Sequence, residues 1–170
     1  MQLSYSFQSP IGIAGALLDI ANKDIVSRAN GEADSKNMKY GMGVVKGDSP
    51  GKDVLVPTED SEPADFEGVL MTGHIDEMDR AGLIDIEHRQ TVGVLNYGKA
   101  WARIAPGTEP AYGDDLFLIV NGEFAGFFTN EAEGAIEIQG RFIGGIGSGD
   151  IAPVEIFNQK QGKKEEEIDG

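Results

Sequence analysis

Residues 87–128 read EHRQTVGVLNYGKAWARIAPGTEPAYGDDLFLIVNGEFAGFF, four short runs rich in Val, Ile, Leu, Trp and Phe cut by turn signals. The signals are Asn96-Tyr97-Gly98-Lys99, the stretch from Pro106-Gly107 to Gly113-Asp114, and Asn121-Gly122. Short β-branched and aromatic runs bounded in this way are the pattern of successive antiparallel strands. The stretch holds the only Trp and half of the eight Phe residues, so it is expected to build the core. With a strand's period of two, Trp101 and Arg103 share one face and Ala100, Ala102 and Ile104 the other. Small alanines behind a Trp imply a tightly curved, barrel-like wall. Residues 116–120 are a continuous apolar run, expected to be a strand covered on both faces. Asn121-Gly122 suits a type I′ hairpin, which needs positive φ at both central residues. It would join that strand to residues 123–128. Phe127 and Phe128 then face opposite ways; one meets the core and the other calls for a different cover, such as a subunit contact.

The flanking chain is organised around this middle. Residues 1–14 read as an arm: Tyr5, Phe7, Ile11 and Ile13 alternate around Ser and Gln, and Pro10-Gly12 interrupts any regular element. An edge strand is one reading of it; an arm added to a neighbouring subunit by strand addition is the other. Residues 15–26 read as strand or loop and residues 28–37 as loop. Residues 40–46 read as a strand with a glycine kink, and Val44-Val45 should close a hairpin against residues 54–56. Residues 58–67 form an acidic loop, residues 66–72 return to strand, and residues 74–90 offer at most one helical turn. Residues 135–142 alternate cleanly, with Ile136 and Ile138 on one face. Residues 143–150 are a glycine-rich loop and residues 152–157 a last strand. Residues 158–170, NQKQGKKEEEIDG, lack the apolar content that compensates for ordering. The expected class is mainly β: a small antiparallel barrel or sandwich with an extended N-terminal arm and long loops. The expected division is arm 1–14, β domain 15–157 and charged tail 158–170.

Composition narrows function by exclusion. The chain has 170 residues, 14 Lys and Arg against 29 Asp and Glu, and a formal charge of −15. Such a surface repels phosphate backbones, so direct nucleic-acid and anionic-membrane binding are not expected. There is no Cys, hence no disulfide, thiolate metal site or thiol nucleophile. The first twenty residues lack a basic segment and a continuous apolar run, so neither a signal peptide nor a membrane span is expected. Gly, at 24 residues, means many turns.

No catalytic or cofactor motif emerges. His74 and His88, with Asp76, Glu77, Asp79, Asp85 and Glu87 nearby, match no metal-ligand spacing and read as polar turn. Glu59, Asp60, Glu62 and Asp65 lack the pattern of a calcium loop. Gly144-Gly145-Ile146-Gly147-Ser148-Gly149 has no Lys-Ser/Thr after it and reads as a β connection, not a phosphate cradle. No Ser sits in a nucleophile elbow. Expectation is therefore no enzyme, no metal and no cofactor. The candidate interface residues are Tyr5, Phe7, Ile11, Ile13 and Phe127.

In order and spacing, several segments carry a resemblance. Gly15-Ala16-Leu17-Leu18-Asp19 follows the polar-aromatic arm. Then come Tyr40-Gly41-Met42-Gly43-Val44-Val45-Lys46-Gly47, Val54-Leu55-Val56-Pro57, Phe66-Glu67-Gly68-Val69, Gly98-Lys99-Ala100-Trp101-Ala102, and Gly113-Asp114 before Leu116-Phe117-Leu118. Together they resemble the strands of the tailed-bacteriophage head decoration, or structural cement, proteins. Ala100 and Ala102 are smaller than the branched residues usual there. The resemblance implies a virion structural protein, made in the host bacterial cytoplasm, that binds the outer surface of the capsid. It would stabilise the head by bridging major capsid protein subunits. It also implies self-association, a homotrimer first and a dimer next. A carbohydrate-binding or host-attachment β module on the virion is the alternative, and a hydrolase using unrecognised acids is a third possibility.

Overall fold

A computed structural model describes residues 12–34, 36–73, 85–147 and 150–157. Among them the regular elements are nine strands and one 3₁₀ turn, Pro63–Asp65. The strands are β1 (Asp24–Asn30), β2 (Gly43–Lys46), β3 (Asp53–Leu55), β4 (Phe66–Met71) and β5 (Thr91–Arg103). After them come β6 (Asp115–Ile119), β7 (Phe128–Thr129), β8 (Ala135–Phe142) and β9 (Ile151–Ile156). Hydrogen bonding runs β1-β3-β2-β4-β5, and β1 pairs again with β5, which closes a five-stranded barrel. From the far half of β5 the order continues β9-β8-β6-β7. That second sheet curls back too: Ile104, just past β5, bridges Phe128 of β7 in parallel.

β5 is the shared spine. It has 13 residues, about twice the usual strand. The signal at residues 96–99 predicted a chain reversal, and there is none. Asp24 pairs with Tyr97 but Ile25 with Leu95, so Asn96 is an extra, bulged residue. Gly98, at φ 129°, follows it. A bulge flips side-chain parity. Val92 and Val94 therefore point into the five-stranded barrel, while Leu95 shares its core with Ala100, Ala102 and Ile104. The punctuation read as a turn is the device that carries one strand through two sheets.

Two apolar clusters result. One gathers Val44, Val54, Leu70, Val92 and Val94 with Met38 and Ile86. The other gathers Val45, Val69, Met71 and Leu95 with Leu116, Leu118, Phe128, Phe142, Val154 and Ile156. The strands between them, β2 and β4, are buried on both faces. Phe66 and Phe128 meet edge to face at 6.3 Å in the second cluster. Of the expected barrel or sandwich, the mainly-β barrel is what forms, and further strands extend it.

Other local readings divide. The hairpin of Val44-Val45 against residues 54–56 forms, with Val45 opposite Leu55 and Lys46 opposite Val54. β4, β8 and β9 lie where the strand pattern put them. Residues 28–30, read as loop, are the end of β1. Asn30 is fully buried; its Nδ2 donates to the carbonyls of Ile86 and Glu87, and its Oδ1 accepts from the Glu32 N–H. A polar residue enters the core when every donor and acceptor is met, which a polarity pattern does not reveal. Residues 116–120 alternate instead of being covered on both faces: Leu116 and Leu118 are buried, Phe117 and Ile119 half-buried. β6 and β7 do form a hairpin, with Leu118 opposite Phe128. Its turn is longer than two residues, because only Gly122, not Asn121, has positive φ. The carbonyl of Ile119 accepts from Gly126 and its N–H donates to Phe127, so residues 120–126 form the loop. Of residues 74–90, where at most one helical turn was expected, 85–90 hold no helix and 74–84 lie outside the described residues, as do the first eleven residues and residues 158–170.

Candidate interaction surfaces

The chain that follows the arm, residues 15–18, is built into the spine. β4 pairs with β5 only from Met71 opposite Gly93 to Val69 opposite Leu95, and farther along β5 residues 15–18 pair with residues 99–101. The Gly15 N–H donates to the Trp101 carbonyl at 2.8 Å, the Trp101 N–H to Ala16 at 2.9 Å, and the Leu18 N–H to Lys99 at 3.1 Å. The Gly15 carbonyl accepts from Thr72 at 2.9 Å. Leu17 stands opposite Ala100. At Gly15, φ is 80° and a Cβ would lie 2.8 Å from the Leu70 carbonyl oxygen, so only glycine fits. Upstream, Gly12 lies flat on the Trp101 indole, and a Cβ there would overlap the ring. Gly147 approaches the same ring from the 143–147 loop; its Cβ would be 2.9 Å from Cζ3. Trp101 is thus half-buried on the outer face of β5, while its Ala neighbours face the core. The expectation that Trp101 belongs to the core is corrected: the alanines do.

Exposed beside this ring are Ile13, at 69% exposure, and Ile146. Ile20, at 94%, is the most exposed large apolar residue described. Tyr112 is exposed and carries the Arg141 guanidinium 5.4 Å from its ring centroid. Arg141 in turn donates to Glu155 at 2.8 Å, which holds its pKa above the ordinary arginine value.

Of the sequence candidates, Ile13 sits at the arm root and is exposed. Phe127 is half-buried and tilts against Phe124 at 5.5 Å. It lines an open groove of about 470 Å³ together with Met42, Val56, Pro57 and Lys39. Ile13 and Phe127 therefore belong to different surfaces. Tyr5, Phe7 and Ile11 lie outside the described residues. Of the histidines, His88 is exposed with Nδ1 3.0 Å from the Glu32 carbonyl, and His74 lies outside. Among the described residues no three His, Cys, Asp or Glu side chains gather as metal ligands.

Ion pairs fasten the surfaces. Arg28 reaches the Glu67 carboxylate through Nε at 2.9 Å and NH2 at 2.6 Å, tying β1 to β4. Lys99 holds Asp19, just past the arm strand, at 3.0 Å; this hydrogen bond lowers the Asp19 pKa and raises that of Lys99. Arg103 donates to the Tyr40 carbonyl at 2.7 Å, and burial lowers its pKa. Asp114 accepts from the Ala111 N–H and the Asn130 amide, which together hold its carboxyl below the ordinary range.

Residues 1–157 match the family model described as "Structural cement protein (E217 gp24/Pam3 gp6)". The chain belongs to the phage structural cement protein family. Its fold is similar to that of a chain in the solved structure "The capsid of Myoviridae Phage XM1", with a TM-score of 0.67 and 16% identity. The likeness covers 92% of this chain and 97% of that one. No curated protein matches. The function is thus that of a structural cement protein, associated with the phage capsid and part of the virion. In this cement protein the contact features that sequence reasoning missed are Gly12 and Gly147, the pair that frames Trp101. Nothing in a single sequence marks a glycine as one that must lie against a ring.

Proposed function

We propose that the protein cements the head by bridging neighbouring major capsid protein subunits on the capsid's outer surface. In this reading residues 1–14 are the arm, residues 15–157 the β domain and residues 158–170 the tail. Ile13, with Tyr5, Phe7 and Ile11 of the arm, makes one contact; Phe127 and its groove make another. Self-association multiplies these weak contacts, as a trimer first and a dimer next. The supporting observation is how the arm is rooted. The residues that follow it, 15–18, are hydrogen-bonded to Lys99 and Trp101 of β5, so a pull on the arm is delivered to the strand that both sheets share. Deleting residues 1–14 is expected to weaken binding to empty heads at least tenfold in co-sedimentation; unchanged affinity would remove the arm from the mechanism. Cryo-EM of decorated heads should show the density outside the shell. The role is mechanical, and an activity screen with Mg²⁺, Ca²⁺ and Zn²⁺ is expected to show no turnover.

A second reading, a glycan-contacting face, rests on Tyr112, an exposed aromatic ring beside the Arg141–Glu155 pair. Specific binding on a glycan array that is lost in Tyr112→Ala would support it. An array with no signal would end it.

A further inference from the structure

The strand 15–18 occupies a slot that any copy of itself would fit. Along β5, β1 pairs with residues 91–97 and β9 with residues 98–103. On the edge of β5 opposite β9, residues 15–18 take the backbone groups of Lys99 and Trp101, next to Gly41, whose carbonyl accepts from the Arg103 N–H. The slot is selective. It needs glycine at position 15 against the Leu70 carbonyl and glycine at position 12 against the Trp101 ring. A foreign strand meets both restrictions only by chance, whereas an identical arm meets both.

The join between this strand and β1 carries the second half of the argument. Residues 19–23 are all exposed; Asp19 is held by Lys99 at the strand's own end, and Lys23 lies against Gly98 at the start of β1. In the middle of this join stands Ile20, 94% exposed. One chain leaves this isoleucine in water; it is covered if the join straightens where two copies meet.

We propose that residues 12–18 exchange between copies in the assembled state: each arm strand leaves its own β5 and enters the slot on a neighbour's, with residues 20–23 as the hinge. The exchanged and the closed arm make the same hydrogen bonds and the same ring contact, so the difference between them lies in the hinge alone. Crowding of copies on a head supplies the high effective concentration that tips it toward exchange. The partner is a second copy of this chain, and it contributes Gly12 and Gly15 to each slot. This rests on the cementing role and adds a way of linking copies to one another.

The chain has no cysteine, so an engineered pair is unique. Leu17 and Ala100 form a non-hydrogen-bonded antiparallel pair, since Trp101 N–H bonds Ala16 and Leu18 N–H bonds Lys99 on either side. Such Cα atoms stand about 4.5 Å apart, within disulfide range. Leu17→Cys and Ala100→Cys would be placed in two differently tagged copies of the full chain and co-assembled on empty heads. Oxidation is expected to join most of the pairable protein between tags. The double variant, closed on itself by oxidation before addition, is expected to bind heads at least tenfold more weakly than its reduced form. Because Ala100 is in the core, wild-type protein gives an independent check. Carbodiimide should join Asp19 to Lys99, and mass spectrometry of mixed isotope-labelled copies on heads should find mixed-label pairs. Same-copy links only, with the closed form decorating at unchanged affinity, overturn the exchange. If wild-type protein fails to bind heads at all, the cementing reading fails instead.

Discussion

Gly12 is where a missing side chain does the most. With no Cβ, the arm lies flat on the Trp101 indole; with one, the arm must lift off. Gly12→Val is therefore expected to expose the ring while leaving both cores intact. Trp101 emission should shift to the red and become more open to acrylamide, with the thermal midpoint moving little. An emission spectrum identical to wild type would show that the arm is not what shields the ring. Asp114 makes a different kind of single-residue contribution. Two donors favour its charged form and hold its pKa below the ordinary 3.8. A carboxylate depressed in the folded state stabilises the fold above its unfolded value, and the contribution fades as pH falls through the folded value. Asp114→Asn is expected to leave the acid-unfolding profile flatter below about pH 4. Stability followed by circular dichroism from pH 7 to 2 measures it, and parallel wild-type and variant curves would dismiss the effect.

At the level of elements, β5 decides how much could be read in advance. Strand existence was legible because Val, Ile, Leu and Phe runs alternate or stand between Gly and Asn, as at β4, β8 and β9. Connectivity was legible only where a turn's geometry is local, as in the β2–β3 hairpin. It failed at Asn96 to Lys99, since a bulge and a reversal use the same residue types: both need glycine-like φ and tolerate a polar residue. What separates them is whether partner strands exist on either side, and β1 and β9 come from opposite ends of the chain. The same limit hid the site. The apolar alternation of residues 5–13 was visible, but the slot that the following residues enter is made by β5, Thr72 and Gly147, far apart in sequence. Gly98 tests the account of β5. Its φ of 129° is costly for any other residue, and a Cβ would press Lys23 at 3.0 Å. Gly98→Ala is expected to destabilise the fold by about 1–3 kcal/mol in urea unfolding. A neutral outcome would mean that the bulge, not the glycine, carries the bend.

For the whole molecule, the arrangement of the ends along β5 bears on the load that a cement protein carries. The arm strand and β9 both run antiparallel to β5, so they are parallel to each other. The arm strand starts beside Trp101, whereas β9 ends with Ile156 beside Gly98. Tension between residues 12 and 157 therefore pulls the two flanking strands in opposite directions along their axes, past the strand between them. Loaded this way, the bonds of a ladder bear the force together; a ladder pulled across its strands gives way one bond at a time. The weaker of the two ladders sets the limit. β5 and β9 pair over six residues, Gly98 to Arg103, while the arm is held to β5 by three backbone bonds. Rupture should thus begin at the arm. Leu18→Pro removes the N–H that reaches the Lys99 carbonyl, one of the three. In single-molecule pulling from residues 12 and 157, wild type is expected to release its arm in one step at a force clearly above that of Leu18→Pro, and the rest of the domain should open only later. Equal forces for the two proteins, or loss of β9 before the arm, would show that load does not travel through this ladder. The arm's hold on the head would then have to be explained by side-chain contacts such as Ile13.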